Sequence, residues 1–306
     1  MRIMEPSIGI GPEDSKPSWE WVGVEVGREL SKYYKTSFFR RRPQEPLPHD
    51  LVVLIKARPR SRFLENMMPP RAKVAYCPVD HYRSLSHVEE DADFLRRCHA
   101  IIVHCERLLP VFKPYCPIVE FVEHHNRFGL PQPVEYKADG YLVWVGGIQH
   151  LRRATEWLQK NPLGREIKFV TDYPEAFNDR LRNVLPISDP HEIIQWSPEN
   201  QAEVMRGAKA AFDIKGLDFN QLHKPPVKAQ QFIASGIPFA TNPESYSTDY
   251  FAKMGFRLPS PDETDYWLSA DYWKETQRIR DELCGRLTLE KVGLDFRRLI
   301  EKLLYS

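Results

Sequence analysis

HKPPVKAQQFIASGIP, running from His223 to Pro238, opens on a proline pair and closes on Gly236 with Pro238 just beyond. Proline is tolerated in a first helical turn, whose N–H groups lack partners, and glycine suits the left-handed residue that stops a helix. The segment therefore predicts a helix over 226–235 with both ends specified. Its free N-terminal N–H groups, flanked by Lys224 and Lys228, suit a phosphate or diphosphate. Lys228 and Gln231 lie three residues apart and share a face, so one ligand can meet both.

Short apolar runs border this helix at 210–214 and 238–240, and strand, helix, strand in that order predicts a parallel pair. The same alternation extends upstream. Residues 141–145 read as a strand ending in Gly146-Gly147, and 167–171 and 193–196 as further strands. Helices are expected over 151–160, 174–183 and 199–208. A Pro-containing stretch at 129–139 reads as a linker. In the first half, 2–6 reads as an opening strand followed by a glycine loop at Gly9 and Gly11. A helix over 19–34 follows, with Val22, Val26 and Leu30 on one face. Strands at 51–55, 73–76, 101–103 and 118–122 alternate with helices at 87–97 and 106–112. The whole predicts an α/β chain of two doubly wound domains, 1–128 and 139–285, plus a C-terminal segment 286–306. In such sheets ligands bind at the carboxyl ends of the strands.

The bulk properties narrow the partners. A chain of 306 residues with 42% hydrophobic and 28% charged residues is ordinary globular material, long enough for two cores. Its 43 Lys+Arg balance 42 Asp+Glu, a net charge of +1. There is no global field for nucleic acid, so no nucleic-acid partner is expected and any anion site must be local. No apolar run reaches the roughly 18 residues of a membrane span, and no signal pattern opens the chain. A cytoplasmic location is expected, with membrane contact at most peripheral, through Arg40-Arg41-Arg42. The five irregularly spaced cysteines read as reduced thiols.

Proline, lysine, helix, glycine and proline in this order resemble the nucleotide-sugar-binding helix of GT-B-fold glycosyltransferases, those of the retaining, family-4-like kind. The resemblance covers nearly the whole chain: a glycine loop early on, a second domain opening with strand and Gly146-Gly147, and a terminal helix that in the family crosses back to the first domain. It implies two Rossmann-like domains, acceptor domain first and nucleotide-sugar domain second. It further implies transfer of a hexosyl group from a nucleotide-diphosphate-sugar donor to an unidentified acceptor, whether saccharide, lipid-linked or small molecule. No cofactor beyond the donor is implied; Lys and Arg charges and the helix N-terminus take the place of a metal ion. The family carries a pair of glutamates where this chain has His223 and Gln231. Gln231 keeps one carbonyl acceptor for a ribose hydroxyl, whereas a carboxylate accepts from both hydroxyls with charge assistance. Retention and inversion both stay open, as do a non-catalytic GT-B-like binding or scaffold protein and another GT-B enzyme such as a sugar-nucleotide epimerase.

The strand-end rule and the resemblance together give the expected contacts. Gly146, Gly147, Arg152, Lys215, Lys224, Lys228 and Gln231 are the donor-binding candidates, with Arg153 an equal alternative to Arg152 because adjacent helical residues do not share a face. Asp80, His81 and His223 are the catalytic candidates. Family members often place a histidine beside the donor sugar after the strand equivalent to 73–76, and an imidazole oriented by a carboxylate donates or accepts a proton near pH 7. His124 and His125, after strand 118–122, stand where family members close on the donor. Cys98, His99, His104, Cys105 and Cys116 with those two histidines contain no Cys-x-x-Cys pair, and no metal site is expected.

Overall fold

The computed structural model describes residues 6–15, 17–41, 46–57, 71–173 and 186–305. The expected helix at 174–183, most of the expected strand at 2–6, and Arg42 lie outside them. The chain forms two compact units: Met1–His125 with Asp218–Pro225 and Arg286–Ser306, and Asn126–Leu217 with Pro226–Gly285.

The first unit is built on a sheet of six parallel strands, Ser7–Gly11 (β1), Lys35–Phe38 (β2), Leu51–Ile55 (β3), Lys73–Cys77 (β4), Ala100–Val103 (β5) and Val119–Phe121 (β6). Their order is β2-β1-β3-β4-β5-β6. Successive strand residues face opposite sides, so a strand buried on both faces must be apolar throughout. β3 shows this: Leu51, Val53 and Ile55 enter one core, while Val52 and Leu54 enter the other. The first core is closed by Val22, Val26 and Leu30 and by Val292, Phe296, Leu299, Ile300 and Leu303 of the C-terminal helix Leu289–Leu304. That helix approaches closely, since a Cβ at Gly293 would stand 2.3 Å from Glu29 Cγ.

The glycine loop expected at Gly9 and Gly11 is instead strand: both residues lie inside β1. They are small for packing reasons. A Cβ on Gly9 would meet the His49 ring at 2.3 Å, and one on Gly11 would meet the Phe39 carbonyl at 2.7 Å. β2 was not expected at all, because KTSF is a short, largely exposed edge strand with no apolar alternation.

The second unit carries five parallel strands, Tyr141–Val145 (β7), Ile167–Thr171 (β8), His191–Gln195 (β9), Ala208–Asp213 (β10) and Phe239–Thr241 (β11), in the order β11-β10-β7-β8-β9. The winding reverses between β7 and β10, which marks the ligand-binding end of such a sheet. The helix Val227–Ala234 buries Ala229, Phe232 and Ile233 on this sheet. It stops as its sequence dictates. Gly236 takes φ +76°, Ile237 N–H donates to Phe232 O, and Gly236 N–H donates to Ile233 O, the paired closure that satisfies the last carbonyls.

Candidate functional site

At the β7/β10 reversal the strand ends carry Gly146-Gly147 on one side and Asp213 with Lys215 on the other. Asp213, the last residue of β10, is buried. Lys228 Nζ donates to its Oδ1 at 3.0 Å, and Lys215 Nζ lies 2.7 Å from its Oδ2, an ion contact off hydrogen-bond geometry. Burial alone would raise the carboxyl's pKa; the charges of Lys215 and Lys228 override it and hold the group well below the usual carboxylate range. Lys228 Nζ also sits 5.0 Å from the centre of the Trp144 ring. A Cβ at Gly146 would stand 2.7 Å from that ring and 3.1 Å from Lys228 Nζ, so glycine gives the ammonium its space. Asp213 thus gathers both ammonium groups at the strand ends.

The two arginines separate. Arg152 is 86% exposed along its side chain and donates to Glu156 Oε1 at 2.6 Å, a pairing within the helix Ile148–Leu158. Arg153 turns the other way, its guanidinium carbon 2.5 Å from where a Cβ on Gly216 would stand, beside Lys215. The backbone around Gly146-Gly147 is already engaged, with Gly146 N–H on Val170 O at 3.1 Å and Ile148 N–H on Asp172 Oδ1 at 3.0 Å. Gln231 is buried and its Nε2 donates to Phe128 O at 3.0 Å. Lys224 belongs to the first unit together with His223.

In the first unit, a cavity opens at the carboxyl ends of β4 and β5 and is closed by the short helix Phe219–Leu222. Asp80, His81, Tyr82, His104, Asn220 and His223 line it, so all three catalytic candidates come together here. The turn after β4 holds Val79 at φ +22° and Asp80 at φ +55°, a conformation side chains rarely adopt and one that recurs at functional sites. Asn220 Nδ2 braces it by donating to Asp80 O and Tyr82 O at 3.2 and 3.3 Å. His223 Nδ1 lies 2.7 Å from Phe219 O, and its ring packs on Phe219 at 4.1 Å. Burial lowers its pKa, with the charge of Arg107 acting the same way and the Phe219 hydrogen bond opposing. His104 is buried and stacks on His124 at 4.0 Å between ring centres. His124 packs in turn against Trp21, and His125 Nε2 meets Glu25.

Among the described residues, His81, His87 and Asp91 offer ligand atoms all within 4.8 Å of one another. Two imidazoles and a carboxylate are a donor set that suits zinc. His81 Nε2 is 3.9 Å from Asp91 Oδ2, which also accepts from Tyr82 OH at 3.2 Å. Arg40 and Arg41, the described part of the basic run, pair with Glu13 and Asp14. No described helix is long and apolar enough to cross a membrane.

Sequence reasoning passed over Asp213 and Asn220. Asp213 left a faint signal as the acid that ends the otherwise apolar-rich run AKAAFD. Asn220 left none, because its partners lie far back in the chain.

Two doubly wound parallel sheets with a returning C-terminal helix define the GT-B fold of glycosyltransferases. Solved structures agree. AviGT4, a glycosyltransferase involved in avilamycin A biosynthesis, matches with a TM-score of 0.63 at 10% identity over 98% of each chain. The DNA-modifying enzyme β-glucosyltransferase matches with a TM-score of 0.63 at 14% identity, over 98% of this chain and all of its own. A chain of the GtfA/B complex matches at 0.56 and 13% identity, over 83% of this chain; the present chain spans 58% of it. No family model and no curated protein matches the sequence. At such identities the likeness establishes the fold.

Proposed function

We propose that this chain is a glycosyltransferase whose second unit holds the diphosphate of a nucleotide-sugar donor and whose first unit holds the acceptor. The observation that carries the reading is the Asp213 cluster, two lysines gathered on one buried carboxylate at the reversal of a doubly wound sheet. A diphosphate leaving group develops negative charge as the glycosidic bond breaks, and preorganised cations stabilise it without reorganising at that moment. Lys228, Lys215 and Arg153 are the groups we assign to that task, with the N-terminus of the Val227–Ala234 helix beside Lys228. His223 is the leading proton acceptor. Its Nδ1 donates to a carbonyl, so Nε2 keeps a lone pair that takes the acceptor hydroxyl's proton as the oxygen attacks the anomeric carbon. Asp80 and His81 complete that polar wall. The β-glucosyltransferase of the same fold was solved with the substrate uridine diphosphoglucose, which supports a donor of this class.

Calorimetry with UDP, GDP and ADP tests the reading, and one of them is expected to bind. A folded sample that binds none at millimolar concentration overturns it. One observation favours a second reading: Gln231 Nε2 is held by Phe128 O, which leaves a ribose only the uncharged carbonyl oxygen where the family has a carboxylate. A non-catalytic binder would take up nucleotide yet neither hydrolyse nor transfer the donor sugar across an acceptor panel.

A further inference from the structure

The turn after β4 and the helix that follows it bring His81, His87 and Asp91 to one place. Ser84 starts the helix Leu85–Glu89, its Oγ accepting from His87 N–H at 3.1 Å, and so sets His87 in the first turn. Asp91 comes four residues later, at the junction with the helix Ala92–Arg96, and is 1% exposed. His81 arrives from the strained turn, where its N–H donates to Pro78 O at 3.0 Å. One ligand atom from each of the three lies within 4.8 Å of the others, and His81 Nε2 stands 3.9 Å from Asp91 Oδ2.

Tyr82 ties the three together. It is buried, its ring packs on His81 at 4.8 Å and on His87 at 5.2 Å, and its hydroxyl donates to Asp91 Oδ2 at 3.2 Å. A hydrogen bond to a ligating carboxylate from beyond the metal is the support that aims such a ligand. Four-coordinate zinc, bonded at about 2.0–2.1 Å, sets its ligand atoms about 3.3 Å apart, so the His81–Asp91 pair must close by about 0.6 Å. Both histidines are half-buried while Asp91 is enclosed, so the imidazoles can make that movement and the carboxylate anchors it. Imidazole nitrogen favours zinc and its late-transition-metal neighbours over calcium and magnesium, which take oxygen ligands.

We propose that His81, His87 and Asp91 bind one divalent ion of the zinc class, with water in the fourth position, and that the ion clamps the turn after β4 onto the helix Leu85–Glu89. His81 also lines the first unit's cavity, so the ion holds that wall in place. Metal binding here does not rest on the glycosyltransferase reading.

The test uses the full chain, stripped with EDTA, carrying no polyhistidine tag and free of nucleotide. Zn²⁺ alone is titrated by calorimetry and Co²⁺ alone by visible absorption. One ion per chain is expected, the Co²⁺ form showing the intense visible bands of a four-coordinate centre and no thiolate charge-transfer band, since no ligand is a cysteine. Mg²⁺ should not compete. His87→Ala is expected to weaken Zn²⁺ binding at least tenfold. Tyr82→Phe, which keeps the ring and removes the hydroxyl, should weaken it roughly tenfold. In the wild-type protein the ring ¹⁵N signals of His81 and His87 should shift as zinc is added while those of His191, in the second unit, stay in place, a readout that needs no variant to fold. Failure to bind zinc at submillimolar concentration, a thiolate band, unchanged affinity in His87→Ala, or unmoved His81 and His87 signals overturns the proposal. Nucleotide binding by a protein that takes no zinc sinks this inference alone.

Discussion

The Asp213 cluster and the His104 cavity occupy equivalent places, the carboxyl ends of strands in two parallel sheets, yet their chemistry is opposite. The first is charged and internally paired: a buried carboxylate holding two ammonium groups. The second is built from neutral imidazoles whose Nδ1 atoms are tied to carbonyls. Equivalent topology sets where a ligand meets each sheet. The side chains at the strand ends decide what charge each sheet presents there.

The sharpest way to break this contrast is to remove the carboxylate at its centre. Asp213→Asn keeps the shape but leaves Lys215 and Lys228 facing each other in a partly buried site. Losing one partner of a buried pair typically costs about 3–5 kcal/mol, and the lower end applies here because both lysines retain some solvent. Urea unfolding at pH 7 measures it; a loss below about 1 kcal/mol would show the cluster to be a surface ion pair.

Acid separates the two regions in the next prediction. Both groups have folded-state pKa values depressed below their unfolded values, so each contributes stability that is complete above the unfolded pKa and lost as pH falls. For His104 the loss begins below about pH 6.5 and continues to its folded value of about 4, on the order of 3 kcal/mol in all. For Asp213 it begins only below about pH 4. His104→Gln should therefore lessen, without abolishing, the slope between those limits, to which the buried His124 stacked on it also contributes, and Asp213→Asn should act only beneath them. Identical slopes in wild type and His104→Gln between pH 6.5 and 4 would show that His104 does not resist protonation.

The two regions also differ in how far the sequence exposes them. The Val227–Ala234 helix is readable because its ends are local events, a proline start and a glycine stop that the structure realises at Gly236. Lys228 is readable with it. Its partner Asp213 is not, since an acid closing an apolar strand looks the same whether it meets solvent or two lysines. In the first unit, Asp80, His81 and His223 could each be singled out, but nothing local says that 142 residues of chain separate neighbours in one cavity (from His81 to His223). No metal role is expected of His104, and the tautomer it adopts depends on the Val122 carbonyl and on burial, both tertiary. Gly9 and Gly11 misled for a related reason, because glycine in a strand marks a close neighbour that composition does not reveal.

Within the charged region, Lys228→Ala is expected to weaken nucleotide-diphosphate binding roughly tenfold to a hundredfold, the worth of a charge-assisted contact in a partly desolvated site. Calorimetry with the nucleotide that binds wild type measures it. Unchanged nucleotide affinity would remove Lys228 from the diphosphate site.

The smallest expected effect distinguishes neighbours on a single helix. Arg152 is exposed and paired with Glu156 four residues on, a contact of the kind that contributes about 0.3–0.5 kcal/mol and is screened by salt. Arg153 lies against Gly216, next to Lys215. Arg153→Ala should weaken diphosphate binding roughly threefold to tenfold, while Arg152→Ala should change it by less than about twofold. Raising the salt concentration should shrink the Arg153 effect only partly, because its surroundings exclude part of the screening solvent. If Arg152→Ala proved the more damaging of the two, the helix Ile148–Leu158 would have to turn its other face to the ligand, and the placement of the diphosphate beside Lys215 would fail with it.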